Sequence, residues 1–336
     1  MTRKLKTCFF GTPEFSLPTL RVVHENTELL GVITQPDKAR GRKQQVLPCD
    51  VKKLAQELGH TVYSPSSLKK DSDELKSLLN FFENVKPDLF IVVAYGNLLP
   101  QNILDIPKFA SINVHASLLP KWRGAAPIQR ALEARDKETG VSLQKMIMEL
   151  DAGEVFSETR IPIESSATAS TLSVCLSELG ADLVKDFIHQ LSTSGQLPPS
   201  LPQDPKNISF AQKITKSEAF WDSSWTQNQS LGRIAGFEVW PGVRACVSLE
   251  NSEKSAHLPD FIIMNEAEID SGNKRIRPGE LIIEDKRVLL GCSDGSIELK
   301  KVQIPGSKVS PAFIIFQNLL SKTGQKSLKV TKFSIK

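Results

Sequence analysis

The 336-residue sequence has few cysteines and pairs none of them at short range. Cys8, Cys49, Cys175, Cys246 and Cys292 are odd in number and scattered, with no C-x-x-C, which argues against a zinc ribbon, a dithiol redox pair or a disulfide scaffold. The five histidines show no H-x-x-x-H spacing, so no metal is expected. Phosphate-cradling loops are missing as well. No G-x-x-x-x-G-K-[ST] occurs, and the first strand-to-helix turn reads Gly11-Thr12-Pro13-Glu14-Phe15 in place of G-x-G-x-x-G. Proline supplies no amide there and Glu14 would repel a pyrophosphate, which speaks against a dinucleotide site. The longest uncharged apolar stretch, Leu89–Pro100, contains Tyr95, Gly96 and Asn97 and falls far short of the roughly 20 residues of a membrane helix. The basic start Met1–Lys6 leads into no apolar leader segment, because Gly11-Thr12-Pro13 interrupts it. The expectation is a cytoplasmic protein without a membrane segment.

What is present fits a globular chain. Hydrophobic residues make up 40% and charged residues 24%, and the length at roughly 150 residues per domain gives about two domains. The net charge of +4 is too small to identify a partner by itself; its placement matters more.

The first half alternates strand-like and helix-like segments. Thr7–Phe10 reads as a short strand, Glu14–His24 as a helix, Leu29–Thr34 as a second strand, and Val51–Leu58 as a helix ending at Gly59. Leu75–Phe82 has helical spacing, and Leu89–Ala94 is apolar throughout, as a strand covered on both faces should be. A helix with proline at its start follows over Pro127–Ala134. This rhythm predicts an α/β domain, a Rossmann-like, doubly wound parallel sheet over residues 1–194. Four prolines between Ser192 and Pro205 predict an exposed linker over 195–210. From 211 to 336 the pattern becomes short strands with turn signals (Ala245–Leu249, Phe261–Met264, Gly279–Ile283, Val288–Leu290, Ile297–Ile304), which predicts a small OB-like β-barrel. Gly291-Cys292-Ser293-Asp294-Gly295 matches a hydrolase nucleophile elbow. However, a strand-like segment follows it and no histidine comes after His257, so it reads as a hairpin turn.

Asn113-Val114-His115 closes the apolar segment Ala110-Ser111-Ile112, and strand alternation puts Asn113 and His115 on one face. Open parallel sheets bind ligands at the carboxyl ends of their strands, so an amide and an imidazole projecting together there mark a candidate site; residues capping a neighbouring helix are the alternative. The loop Ser117–Pro127 follows, with proline stiffening, exposable backbone donors, Trp122 and the cations Lys121 and Arg123. Asp151, in Leu150-Asp151-Ala152-Gly153-Glu154, reads by itself as a turn former between two strands.

Together these segments carry a resemblance. Phe10-Gly11-Thr12-Pro13-Glu14-Phe15, Gln35-Pro36-Asp37, Ala94–Pro100, Asn113–Pro120, Lys121–Gln129 and Met148–Gly153 resemble, in order and over nearly the whole chain, the formyltransferases that use 10-formyltetrahydrofolate. The form Trp122-Arg123-Gly124-Ala125-Ala126-Pro127-Ile128-Gln129, with a C-terminal extension, is most similar to the bacterial and organellar members that act on methionyl-tRNA. The resemblance implies formyl transfer from the folate N10 to the α-amino group of methionine on initiator tRNA, through a tetrahedral intermediate. It places the catalytic asparagine, histidine and aspartate on Asn113, His115 and Asp151. Amine attack builds an oxyanion, which needs donors where that charge develops. Asn113 would supply one donor and His115 another, since a carboxylate beside an imidazole stabilises positive charge on the ring. The folate loop would be Ser117, Leu118, Leu119 and Pro120, beside the wall of Leu89–Ala94 and Tyr95–Pro100. No metal is implied, and the expected partners are initiator Met-tRNA and the folate co-substrate, with no membrane and a monomeric chain.

Two basic features bear on RNA. Lys38–Lys53 holds Lys38, Arg40, Arg42, Lys43, Lys52 and Lys53 against one acid, Asp50. By the resemblance, Arg42 and its neighbour Lys43 would grip the acceptor stem, although Gln44-Gln45 stands where relatives carry further basic residues. Lys322, Lys326, Lys329, Lys332 and Lys336 fall in the last fifteen residues with no acid, which reads either as phosphate contacts or as a disordered tail. An enzyme with an amino-sugar acceptor would need neither the basic insertion nor the C-terminal extension. A non-catalytic RNA-binding protein would have no use for Asn113, His115 and Asp151 together.

Overall fold

A computed structural model describes residues 3–40, 45–69, 72–248, 259–272, 276–323 and 327–332. The chain divides into two compact units, one drawn from Met1–Pro127, Glu138–Pro162 and Ser173–Ala211, the other from Ile128–Lys137, Ile163–Leu172 and Gln212–Lys336.

The first unit is built on a seven-stranded sheet. Its strands are β1 (Lys6–Gly11), β2 (Glu28–Ile33), β3 (Val62–Tyr63), β4 (Leu89–Val93), β5 (Ala110–His115), β6 (Glu138–Lys145) and β7 (Val155–Pro162), in the order β7-β6-β5-β4-β1-β2-β3. Strands β1 to β5 run parallel. This is the Rossmann-like arrangement read from the alternating pattern. Strands β6 and β7 then extend the sheet antiparallel, which that pattern did not include. The helices α1 (Leu17–Asn26), α2 (Asp50–Glu57) and α3 (Asp73–Val85) connect the parallel strands. The start of α3 is set by Ser72, whose Oγ accepts from the Leu75 amide at 3.3 Å, and its apolar stripe Leu75, Leu78 and Phe82 is buried. Phe82 packs with Phe10 and Phe90, the Phe82–Phe90 ring centroids lying 4.7 Å apart, and Tyr95 meets Phe10 edge-on at 5.5 Å. Removing the ring in Phe82→Ala would cost about 3–5 kcal/mol. This core fixes the carboxyl ends of β1, β4 and β5, where the candidate site lies.

The second unit contains a closed antiparallel barrel of β8 (Val243–Ser248), β9 (Ile262–Ile269), β10 (Glu280–Glu284), β11 (Arg287–Gly291), β12 (Ser296–Gln303) and β13 (Ser327–Lys332). Its strands pair in the ring β9-β8-β13-β10-β11-β12, and β12 returns to β9. The sequence pattern suggested five strands. The sixth, β13, comes from the segment that also read as a disordered tail, and that reading is corrected for residues 327–332. Leu328 and Val330 are buried on alternate positions, and β13 bridges β8 and β10. The Gly291–Gly295 segment is a hairpin turn, closed by Cys292 N donating to Gly295 O at 2.7 Å. Among the described residues no helix is long and apolar enough to cross a membrane.

Candidate active site

The site grows from the antiparallel seam between β5 and β6. In its register Asn113 lies opposite Gln144 and His115 opposite Ser142. Directly paired residues project to the same side, so these four side chains share one face beside the carboxyl end of β5. Asn113 is half-buried, and His115 and Gln144 are buried.

Asp151 reaches this face from the turn between β6 and β7. Its backbone is left-handed, at φ +50°, a conformation that a short polar residue tolerates better than most. At Gly153 a Cβ would run into the Lys145 carbonyl, so glycine lets the turn fold back onto β6. The carboxylate is then held from two sides: Gly124 N donates to Oδ2 at 2.8 Å and Gln144 Nε2 donates to Oδ1 at 2.9 Å. Asp151 Oδ2 lies 3.7 Å from His115 Nδ1. That is within ion-pair reach but too long for a hydrogen bond. On the other side of the ring, His115 Nε2 donates to the Trp122 carbonyl oxygen at 2.9 Å, and because a carbonyl only accepts, Nε2 carries a proton. The structure thus brings His115 and Asp151 together, with Asn113 two residues from His115 on the same strand face.

The loop after β5 is preorganised by its own contacts. Ser142 Oγ donates to Ser117 O at 2.8 Å and accepts from Leu119 N at 3.1 Å, while Ser117 Oγ donates to Lys121 O at 2.6 Å. The amides of Ser117 and Lys121 donate to His115 O and Leu118 O. The expectation of exposable backbone donors is therefore corrected for residues 117, 119 and 121, whose amides are already engaged. Ser117 and Leu119 are buried, and Leu118 and Pro120 half-buried. Arg123, one of the two cations read in this loop, is also buried and engaged: Nε and Nη2 donate to Gln203 Oε1 at 3.0 and 2.9 Å, and Nη1 meets Glu149 at 3.3 Å.

Gln203 belongs to the proline-rich stretch. Its Nε2 donates to the carbonyls of Asp151 at 2.8 Å and Gly153 at 2.7 Å, so one amide braces both the Asp151 turn and Arg123. The same stretch continues onto the loop: Ser209 Oγ accepts from Trp122 N, Ser209 O accepts from Arg123 N, and Phe210–Ala211 pairs with Arg123–Gly124. Gly124 sits at φ +122°, where a Cβ would meet Ala211 O at 2.7 Å, and only glycine brings its amide to Asp151 without strain. Gln144, Ser142, Gln203 and Ser209 were not among the residues read from sequence.

Arg42 and Lys43 lie outside the described residues. Lys38–Arg40 and Gln45–Leu47 on either side of them pair antiparallel. Two of the nearby cations are ion-paired, Lys52 with Asp37 at 2.7 Å and Lys53 with Asp50 at 3.8 Å. Nucleophilic chemistry finds no support at Cys8 or Cys292, because burial pushes the Cys8 thiol well up and that of Cys292 to about 11. Burial likewise raises the Tyr95 hydroxyl. Among the described residues, no group of three or more His, Cys, Asp or Glu side chains is placed to hold a metal.

The sequence matches two family models, formyl transferase over residues 8–187 and formyl transferase, C-terminal domain, over residues 213–319. It is 36% identical over 308 residues to a methionyl-tRNA formyltransferase of Sulfurihydrogenibium sp. (strain YO3AOP1), covering 90% of this chain and 94% of the relative. It is 45% identical over 238 residues to that of Dictyoglomus thermophilum, covering 71% and 74%. Among solved structures, WlaRD, a sugar 3N-formyl transferase, superposes with a TM-score of 0.61 at 16% identity, over 91% of this chain and all of that one. HypX from Aquifex aeolicus, in complex with tetrahydrofolic acid, gives 0.58 at 16%, over 94% and 48%. At such identities these two show the fold alone.

Proposed function

The chain belongs to the formyl transferase family, and from that premise we propose that it moves the formyl group of 10-formyltetrahydrofolate to the α-amino group of methionine on initiator tRNA. The observation that carries this reading is the similarity to methionyl-tRNA formyltransferases over 90% of this chain, with formyl transferase models matching both its N-terminal and C-terminal parts.

The chemistry follows from the groups at hand. The neutral amine attacks the formyl carbon, a C–N bond forms, and the carbonyl oxygen gains negative charge. Asn113 donates from its amide to that oxygen, and the His115 ring, with the Asp151 carboxylate 3.7 Å away, is the second polar group beside it. Removing one such donor raises the barrier by about 3 kcal/mol. Collapse breaks the bond to the folate N10, which takes up a proton while the amine loses one; a water or the His115–Asp151 pair carries that proton. No covalent enzyme intermediate is needed. The folate co-substrate fits the Ser117–Pro120 loop, whose shape Ser142 fixes and which offers Leu118 and Leu119 as apolar wall. Arg42 and Lys43 take the acceptor end of the tRNA through phosphate contacts that weaken with salt.

The test is direct. The purified chain is incubated with 10-formyltetrahydrofolate and either Met-tRNA or a UDP-amino sugar, and the formylated product is identified. Formyl-Met-tRNA supports the reading, and a formylated sugar replaces it with the amino-sugar reading. Arg42→Ala should raise KM for Met-tRNA several-fold at low salt with little change in kcat; an unchanged KM across a salt series removes Arg42 from the RNA contact.

A further inference from the structure

Gln144 is buried in the sheet, and its two polar atoms are treated unequally. Nε2 donates to Asp151 Oδ1 at 2.9 Å, whereas Oε1 is buried with no hydrogen-bond partner among the described residues. A buried carbonyl left without a donor lowers stability, so an apolar side chain of the same length would fit this position better if packing were its only task. Such a group calls for an explanation, and a role at the site is one. Here the one bond Gln144 makes goes to the carboxylate facing His115. With Gly124 N on Oδ2 and Gln144 Nε2 on Oδ1, both oxygens have fixed donors, and the plane of the carboxylate cannot turn about its Cβ–Cγ bond. That orientation keeps Oδ2 toward His115 Nδ1 at 3.7 Å.

We propose that Gln144 is a positioning residue for formyl transfer, orienting the Asp151 carboxylate toward His115 at the expense of its own unsatisfied carbonyl. The proposal rests on the reading of the chain as a formyltransferase. It touches neither the folate loop nor the RNA contacts, so its effect belongs in turnover and not in substrate binding. The charged groups around this carboxylate are His115 on β5 and, through the Asp151–Gln203 brace, Arg123 with its partner Glu149.

The experiment compares wild type with Gln144→Met, which keeps length and bulk but removes both polar atoms, and Gln144→Glu, which keeps the shape but replaces the donor with a second carboxylate. Steady-state formylation of Met-tRNA and thermal melting are measured on all three. The expected result is a kcat lower by about tenfold or more in Gln144→Met, as for loss of a hydrogen bond to a charged group. Both KM values should stay within twofold, and the melting temperature should be equal or higher because the unsatisfied carbonyl is gone. Gln144→Glu should lose at least as much turnover, since two adjoining carboxylates repel. A Gln144→Met enzyme with kcat within twofold of wild type overturns the proposal. So does a parallel fall of kcat and melting temperature in both variants, which is what a merely structural residue would give. An inactive wild-type chain would instead overturn the formyltransferase reading.

Discussion

Each unit of this molecule holds an aspartate amid donors, Asp270 buried and Asp151 half-buried, and the two are held in different ways. Asp270, in the barrel unit, is saturated by donors, one of them charged: Arg287 Nη2 donates to Oδ1 at 2.5 Å, Gly272 N to the same oxygen at 3.0 Å, and Ser296 Oγ to Oδ2 at 2.9 Å. Arg287 is itself clamped by Glu298 at 2.7 Å, so the pair has no slack. Asp151 is held by two neutral amides, while its imidazole partner, His115, stands off at 3.7 Å with the far side of its ring tied to the Trp122 carbonyl. A locked arginine pair braces a fold and leaves neither group free to take part in a reaction. An oriented carboxylate with an imidazole just beyond hydrogen-bond distance leaves room for charge to change during a reaction. Under the proposed function, the contrast separates a carboxylate that braces from one that works.

The contrast is broken most severely by exchanging each acid for its amide. Asp151→Asn keeps the size but removes the charge facing His115, and turnover should fall by about a hundredfold or more while the melting temperature stays nearly unchanged. Asp270→Asn should act in the opposite sense. It strips Arg287 of one partner and should destabilise the barrel by about 2 kcal/mol, leaving kcat per folded molecule at saturating tRNA as it was. Formylation rates and melting curves on both variants check the pair of expectations. If Asp151→Asn melted like Asp270→Asn, the two carboxylates would be of one kind.

The two regions also differ in how far the sequence reveals them. Uniformly apolar runs such as Leu89–Val93 belong to strands covered on both faces, so the parallel half of the sheet follows from hydrophobic pattern alone. Asn113 and His115 share a face because strand periodicity is two. The position of Asp151 was legible only through family resemblance, since its local sequence describes a turn and nothing more. Gln144 was illegible. An amide within a strand reads as an exposed polar residue, and only the register with Asn113 shows otherwise. Gln203 was hidden by composition, because four prolines between 192 and 205 suggest free chain while its amide braces the Asp151 turn. Strand β13 was obscured by charge: Lys329 alternates with buried Leu328 and Val330, and two apolar residues among lysines look like a tail.

The smallest expected effect concerns acid, and it sharpens what saturation means in the barrel. Burial by itself would raise the carboxyls of Asp270 and Glu298, yet both are held below their ordinary values. At Asp270 the donors are Gly272 N, Arg287 and Ser296; at Glu298 they are Lys300 and Arg287. The folded barrel therefore takes up these two protons at lower pH than the unfolded chain does. Its stabilisation is complete above the ordinary carboxylate range and is lost as pH falls through the lowered values, because protons then favour the unfolded state. Arg287 and Lys300 are raised above their ordinary values and stay charged throughout, so they add no slope of their own in acid. Denaturant melts followed by tryptophan fluorescence, in which buried Trp221 reports on the barrel unit, should show the midpoint falling from pH 6 toward pH 3. The slope should be shallower in Asp270→Asn, which has one fewer lowered carboxyl to protonate. Parallel slopes in wild type and variant would mean that the Arg287 cluster contributes nothing through charge, and that Asp270 is held by its hydrogen bonds alone.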